Sequence, residues 1–176
     1  MTSRCIALLA SALPFAIAQA AVGQDVAQEY RVKAEYLVNI VKYVEWPENG
    51  KATILICVAG QNPFGTMLDG LIRNEQVNGK SLTTDVILEP SPECDVVFTP
   101  RTSNVNAYLR AAAGTTTLTI GETPRFVEQG GMIRFFSENG SVFFEINRGA
   151  VEKARLRISS RLLQLARIVE PNPEER

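Results

Sequence analysis

Residues 130–147, GGMIRFFSENGSVFFEIN, decide the fold, because two alternating apolar runs are separated here by Asn139 and Gly140. An Asn-Gly pair between such runs is the strongest short-range signal of a β-hairpin, since both central residues of a type I′ turn need a positive φ. With these two residues as the loop, the predicted cross-strand pairs are Glu138 with Ser141, Phe136 with Phe143, Phe135 with Phe144, Arg134 with Glu145 and Ile133 with Ile146. The stretch therefore predicts two antiparallel strands in a defined register.

The two faces of this hairpin differ in character. Because side chains alternate across a strand, one face is predicted to point into the core with Ile133, Phe135, Val142, Phe144 and Ile146. The opposite face carries two favourable cross-strand pairs, made by Arg134, Phe136, Phe143 and Glu145. This second face is either a docking surface for a partner or the underside of a helix. We expect a helix to cover this face, because a sheet with helices on both sides buries apolar residues on both of its faces.

The rest of the chain alternates strands with helices. Apolar residues at helical spacing predict a helix over 25–45, which Trp46-Pro47 ends because the residue before a proline avoids helical conformation. Asn62 and Pro63 suit the N-cap and first position of a second helix. The other predicted elements are strands at 53–59, 81–88, 95–99 and 116–120 and helices at 103–113 and 148–154. A last helix is predicted to start at Ser159 or Ser160 and to turn Leu165, Ile168 and Val169 toward the core. This order predicts an α/β single-domain sandwich, in which helices flank a mixed β-sheet and a C-terminal β-hairpin precedes a closing helix.

The N-terminal residues are typical of a secretory signal peptide. Arg4 supplies the positive start, an apolar run follows, and Ala18-Gln19-Ala20 forms a cleavage site. The predicted division is a signal peptide at 1–20, an α/β domain at 21–170 and a frayed polar tail at 171–176. No later apolar run approaches the ~20 residues of a membrane-spanning helix, so we expect the mature protein to be exported and soluble.

Signal removal changes both the charge balance and the cysteine count. Loss of Arg4 reduces the number of basic residues from 18 to 17, whereas the number of acidic residues stays at 19. No basic excess therefore exists to bind nucleic acid. Loss of Cys5 leaves Cys57 and Cys94. Two cysteines in an oxidising compartment are more often bonded than free, and they lie within and just before two predicted strands. We favour a disulfide over a pair of buried thiols.

The sequence offers no recognisable catalytic equipment. Histidine is absent, which removes the usual general base and the commonest metal ligand. The turn at 60–65 follows a strand as a phosphate-binding loop would, but Thr66-Met67 occupies the place of the required Lys-Ser/Thr pair. The carboxylates form no spaced acid/base motif. We therefore expect a protein that is not an enzyme and that carries no cofactor or metal. An enzyme that uses paired carboxylates, with Glu122 or Glu145, is the alternative with the least support.

Four segments in this order resemble the YfiR-like family, of YfiR/HmsC type. They are KAEYLVNIVKYVEWP at 33–47, CVAGQNPF at 57–64, the hairpin at 130–147 and LRISSRLLQLA at 156–166. The resemblance implies a small periplasmic α/β protein without catalytic activity, and it places the family's disulfide on Cys57 and Cys94. A second cysteine pair, which some relatives carry near the hairpin, is absent, and Arg155 stands where the family usually has glycine.

The resemblance also implies a function and partners. Members repress an inner-membrane diguanylate cyclase by binding its periplasmic part, and they are released when an outer-membrane lipoprotein captures them. Cyclic di-GMP signalling and biofilm formation would then depend on this chain. If the outer face of the hairpin is instead the docking surface, we expect its contact residues to be Arg134, Phe136, Phe143 and Glu145. The aromatic residues of the first helix, Tyr36 and Tyr43, leave a homodimer open.

An alternative function is a small-ligand sensor that serves another membrane receptor, such as a histidine kinase. Its pocket is predicted at the edge of the sheet, near Gly121, Glu122 and Asn147. Family resemblance alone does not decide between the two, because one fold hosts many functions.

Overall fold

The computed structural model describes residues 15–169, with side chains from residue 25. Most of the predicted signal peptide and the predicted tail at 171–176 lie outside these residues. The helices are α1 Phe15–Lys42, α2 Met67–Ile72, α3 Val105–Ala112, α4 Arg148–Lys153 and α5 Ser160–Leu163. The strands are β1 Val44–Glu45, β2 Thr53–Ala59, β3 Gln76–Val77, β4 Lys80–Ile87, β5 Val96–Thr99, β6 Leu118–Gly121, β7 Ile133–Glu138, β8 Ser141–Asn147, β9 Arg157–Ile158 and β10 Arg167–Val169.

Eight of the strands form one mixed sheet, which confirms the predicted fold class. Their order across the sheet is β10-β8-β7-β6-β5-β2-β4-β3. The five strands from β7 to β4 are parallel, whereas β8 runs antiparallel to β7 and β3 antiparallel to β4. Strands β1 and β9 form a separate two-stranded ribbon.

The hairpin has the predicted register at every pair, from Ile133 opposite Ile146 to Glu138 opposite Ser141. Asn139 and Gly140 have φ angles of 50° and 75°, as a type I′ turn requires. The apolar face also lies where expected, because Ile133, Phe135, Phe144 and Ile146 are buried.

Helices cover the two faces of the sheet unequally. On the first face, α1 and α2 pack over the main core, which includes Leu37 and Val41 of α1, Leu68 of α2 and the apolar face of the hairpin. On the second face, α3 packs over β5 and β6 through Val105 and Tyr108. The chain thus places α1 against the hairpin on one side of the sheet and α3 near the sheet's centre on the other.

All the predicted helices have different bounds in the structure. The helices predicted at 103–113 and 148–154 are three residues and one residue shorter. The first spans residues 15–42 instead of 25–45, and it ends early because Val44 and Glu45 pair with β9. The second begins at Met67, because the side chain of Asn62 accepts a hydrogen bond from the amide of Phe64 and stabilises a turn instead.

The closing helix is the largest difference from the sequence prediction. Ser159 caps it as predicted, but α5 ends at Leu163. Arg167–Val169 then pair with β8 as a parallel edge strand, which satisfies backbone groups of β8 that a helix would leave open. Leu165 is consequently 70% exposed instead of turned into the core.

The structure contains the expected disulfide, and Arg155 keeps the backbone conformation of the glycine that it replaces. Cys57 on β2 and Cys94 beside β5 form a buried disulfide with a Cα–Cα distance of 5.8 Å. Arg155 follows α4 with a φ of 58°, the left-handed conformation that glycine adopts without strain. The amides of Arg155 and Leu156 bond to the carbonyls of Glu152 and Val151, which is a Schellman motif. The backbone therefore keeps a glycine-like conformation with an arginine side chain.

Candidate functional site

The outer face of the hairpin presents four predicted site residues side by side. Arg134, Phe136, Phe143 and Glu145 belong to paired positions of β7 and β8, and Arg167 of β10 joins them on the same face. We call these five residues the hairpin surface. The rings of Phe136 and Phe143 stack with their centroids 5.8 Å apart and their planes at 26°. Two strands thus hold a rigid aromatic platform.

Charges border this platform. The Nε of Arg134 donates to Oε1 of Glu145 over 2.7 Å, and the side chain of Glu145 is 8% exposed. The guanidinium groups of Arg134 and Arg167 lie 5.1 and 4.7 Å from the ring centroid of Phe136, within the range of cation–π attraction. Arginine and aromatic residues are the types that dominate binding energy at protein interfaces. The hairpin surface has the composition of a docking site.

Among the described residues, no helix covers this face at Phe143, contrary to our expectation. Phe143 is 46% exposed, because α3 packs over β5 and β6 and leaves the outer hairpin to solvent. Phe136 is only 8% exposed, since its neighbours on β7, β8 and β10 surround it. The surface therefore offers one accessible aromatic ring on a well-packed base.

The three residues of the predicted ligand pocket do not meet in the structure. Glu122 points to the first face, where Lys33 and Tyr30 of α1 contact its carboxylate. Gly121 lies on the second face beneath the ring of Phe126, so closely that a Cβ would be 2.4 Å from the ring. The packing against Phe126 therefore requires a glycine at position 121. Asn147 caps α4 by accepting from the amide of Ala150, and it also donates to the carbonyl of Val127.

Asn147 lines a cavity in the described part of the chain. The cavity has a volume of about 370 Å³ and lies on the second face, between α3 and α4. Its walls include Arg110 and Lys153, together with the apolar side chains of Val127 and Met132. Asn147 therefore borders this cavity, whereas Gly121 and Glu122 have the other structural roles described above.

A buried charge cluster lies between α1 and the carboxyl end of β6, and sequence reasoning missed it. Lys33 is fully buried and contacts the carboxylates of both Glu29 and Glu122. The hydroxyl of Tyr30 donates to Glu122 over 3.1 Å. The signal was present in the sequence, because Lys33 follows Tyr30 by three residues and precedes Leu37 by four, within the apolar stripe of the helix.

The cluster shifts the pKa of two of its members. Burial, and then the charge of Glu122, raise the pKa of the Tyr30 hydroxyl, so Tyr30 remains a hydrogen-bond donor. Burial opposes the ionisation of Glu29, yet hydrogen bonds from Lys33 and Ser137 and the charges of Lys33 and Arg101 hold its pKa below its ordinary value. The cluster joins α1 to the end of β6 by the ion pair of Lys33 with Glu122, and to β7 by the hydrogen bond that Ser137 donates to Glu29.

The described residues show neither a metal site nor a membrane span. Within residues 15–169, no three side chains of the usual ligand types are grouped to hold a metal ion. None of the helices in this range has both the length and the apolar character needed to cross a membrane.

Comparison with known proteins identifies the family. The sequence model described as YfiR/HmsC-like (DUF4154) matches residues 30–167, which is more than half of the chain. No curated protein matches. The chain is similar in structure to a conserved domain protein from Vibrio cholerae O1 biovar El Tor, with a TM-score of 0.46 and 15% identity, and the match covers 81% of this chain and 60% of that one. On the strength of the match to residues 30–167, this chain belongs to the YfiR/HmsC-like family.

Proposed function

We propose that this protein represses a membrane-bound diguanylate cyclase from the periplasm and so controls cyclic di-GMP and biofilm formation. The observation that carries the proposal is the family match over residues 30–167. Membership supports a periplasmic regulator that acts with membrane proteins and is in general not an enzyme. The cyclase as the specific partner is the proposed step.

Repression follows from differential binding. A regulator shifts an equilibrium only by as much as its affinity differs between the two states of its target. This chain would bind the periplasmic domain of the inactive cyclase more tightly than that of the active cyclase. Capture of the chain by an outer-membrane lipoprotein would lower its free concentration and release the enzyme.

The hairpin surface is the proposed docking site on this chain. Phe143 is the accessible aromatic anchor, and Phe136 supports it from below. Arg167 lies beside the rings with its side chain 56% exposed and a 3.5 Å contact to Glu138, so it can form charge-assisted hydrogen bonds with acidic groups of a partner. Such a rigid anchor binds at low entropic cost, because its rotamer is set before the partner arrives.

The proposal is tested by measuring intracellular cyclic di-GMP in the native host with and without this chain. Deletion should raise the cyclic di-GMP level, and expression of the exported protein should restore it. An unchanged level under biofilm-promoting conditions would contradict the cyclase proposal.

The docking site is tested by complementing the deletion with Phe143→Asp. The variant should fold, because Phe143 is half exposed, and it should fail to repress, because a carboxylate would stand where the partner meets an aromatic ring. Leu88→Asp is the matched control, since Leu88 is 81% exposed and lies beyond β4, away from the hairpin. Full repression by folded Phe143→Asp would reject this surface.

A second candidate function is a ligand-sensing module for another membrane receptor such as a histidine kinase. The cavity beside Asn147 favours it, because Arg110 and Lys153 give that cavity a positive rim over apolar walls. A thermal-shift screen tests it, since a ligand that binds only the folded state raises the melting temperature. A ligand whose stabilising effect disappears in Lys153→Gln would support this function.

A further inference from the structure

The sheet reverses its direction of growth between β2 and β5. From β2 the chain passes through α2 on the first face to β4, its neighbour on one side. Strand β5 lies on the other side of β2, and the chain then passes through α3 on the second face to β6. In open α/β sheets, ligands bind in the crevice at the carboxyl ends of the strands at such a switch point. The loops after β2 and β5 form this crevice here.

A cavity lies at this position. Its volume is about 260 Å³, close to the lower limit of the ~300–1,000 Å³ that is usual for ligand pockets. The loop after β2, the loop after β5 and α1 provide its walls: Gln61, Asn62, Pro63, Pro100, Arg101, Thr102 and Tyr30. The size suits a small molecule with a short carbon chain against the two prolines.

The charged group at this cavity is Arg101, and its nearest carboxylate contact is weak. Its side chain is 58% exposed, and its Nη2 lies 4.0 Å from Oε1 of Glu29. A charge-assisted hydrogen bond of this type is about 2.7–2.9 Å long, so the contact leaves the donors of the guanidinium available. The planar fork of an arginine matches a carboxylate in geometry. The amide of Gln61 and the hydroxyl of Thr102 lie beside it as further donors.

We propose that this crevice binds a small carboxylate ligand, with Arg101 as its counter-ion. The ligand's carboxylate accepts hydrogen bonds from the guanidinium and replaces the long contact with Glu29. Its carbon chain lies between Pro63 and Pro100.

The crevice is connected to the hairpin through the buried charge cluster. Tyr30 forms part of the wall and donates to Glu122, whereas Glu29 accepts a hydrogen bond from Ser137 of β7 over 2.9 Å and contacts Lys33. A ligand that draws Arg101 away from Glu29 therefore alters contacts that join α1 to the strand carrying Arg134 and Phe136. The inference that the ligand controls docking on the cyclase rests on the proposed function, whereas the inference that the crevice binds a carboxylate does not depend on it.

Binding is tested by NMR titration of the purified ¹⁵N-labelled protein with acetate, lactate, succinate and L-glutamate, which differ in size and charge. At least one of them should cause saturable shifts of the backbone amides of Gln61, Arg101 and Thr102. Arg101→Gln should weaken that binding about tenfold or more, as expected for the loss of a hydrogen bond to a charged group. Arg101→Lys should weaken it less, because the charge remains.

Arg157→Gln is the matched control, because Arg157 is an 82% exposed arginine on β9, which pairs with β1 beyond the C-terminal end of α1, and it should leave the affinity unchanged. The proposal is overturned if none of the four carboxylates shifts these amides, or if the shifts persist unchanged in Arg101→Gln. Equal binding of sulfate would overturn the assignment to carboxylates and indicate a general anion site. These outcomes are independent of cyclic di-GMP levels, so failure of this site and failure of the cyclase proposal are separable.

Discussion

Replacement of Lys33 by methionine should destabilise the protein strongly. Lys33 and Glu122 have side chains that are 1% and 0% exposed, so the pair is removed from water. Lys33→Met preserves the length and apolar stem of the side chain but leaves the carboxylate of Glu122 buried, with the hydroxyl of Tyr30 as its remaining described partner. Removal of one partner of a buried pair costs about 3–5 kcal/mol, because the other charge is left uncompensated.

The structure also predicts an asymmetry within the pair. Glu122→Leu removes the carboxylate, but Lys33 keeps its contact with Glu29, whose side chain is 29% exposed. The single Glu122→Leu substitution should therefore cost less than Lys33→Met. The double variant should lose less unfolding free energy than the sum of the two single losses, by at least about 2 kcal/mol. The reason is that an apolar pair of similar volume replaces a buried ion pair at little cost.

Urea unfolding of the four proteins, followed by circular dichroism, measures these free energies. The loss of unfolding free energy expected for Lys33→Met corresponds to a fall in melting temperature of roughly 6–20 °C for a domain of this size. A cost below about 1 kcal/mol for Lys33→Met, or strict additivity of the two single variants, would refute the reasoning that the charges are buried and coupled.

Three further predictions concern stability. The disulfide closes a loop with a sequence separation of 37, so replacing Cys57 and Cys94 by serine should lower the unfolding free energy by about 4 kcal/mol on the chain-entropy model; an unchanged urea midpoint would contradict a bonded pair. Gly121→Ala should cost about 1–3 kcal/mol, because the added Cβ would meet the ring of Phe126 at 2.4 Å; a variant with the wild-type melting temperature would show that the ring moves freely. The pKa of Glu29 is held below its ordinary value, so its ionised form stabilises the fold above about pH 4.3, and this contribution is lost as the pH falls through the lowered pKa. The difference in unfolding free energy between wild type and Glu29→Gln should accordingly shrink on acidification, and a difference that stays constant from neutral pH to pH 3 would contradict that assignment.

The hairpin could be predicted in detail because its determinants are local. Asn139 and Gly140 fix the turn, and the alternation of apolar residues fixes the faces, so the register follows without any distant contact. Residues 165–169 show the opposite case. Their apolar residues fit a helical stripe, but the edge of β8 offers backbone hydrogen bonds that only a strand can make.

The buried cluster could not be predicted because its members are far apart in sequence. Lys33 and Glu122 are separated by 89 residues, and nothing in either segment names the other as its partner. A lysine within an apolar stripe does indicate a buried counter-charge, but it does not identify it. The same limit explains why Glu122 and Asn147 were combined into one pocket, since the order of elements does not show which face of the sheet each residue occupies.

Site-specific photocrosslinking in the native host will show whether the hairpin surface docks on a membrane diguanylate cyclase, as we propose. A photoreactive phenylalanine analogue is placed at position 143 of the exported protein, and the crosslinked product is identified by mass spectrometry. We expect a covalent product with a membrane protein that carries a diguanylate cyclase domain, and no such product from the same analogue at position 88. A product with a protein that lacks this domain, or equal crosslinking from position 88, would show that the hairpin surface does not dock on a cyclase.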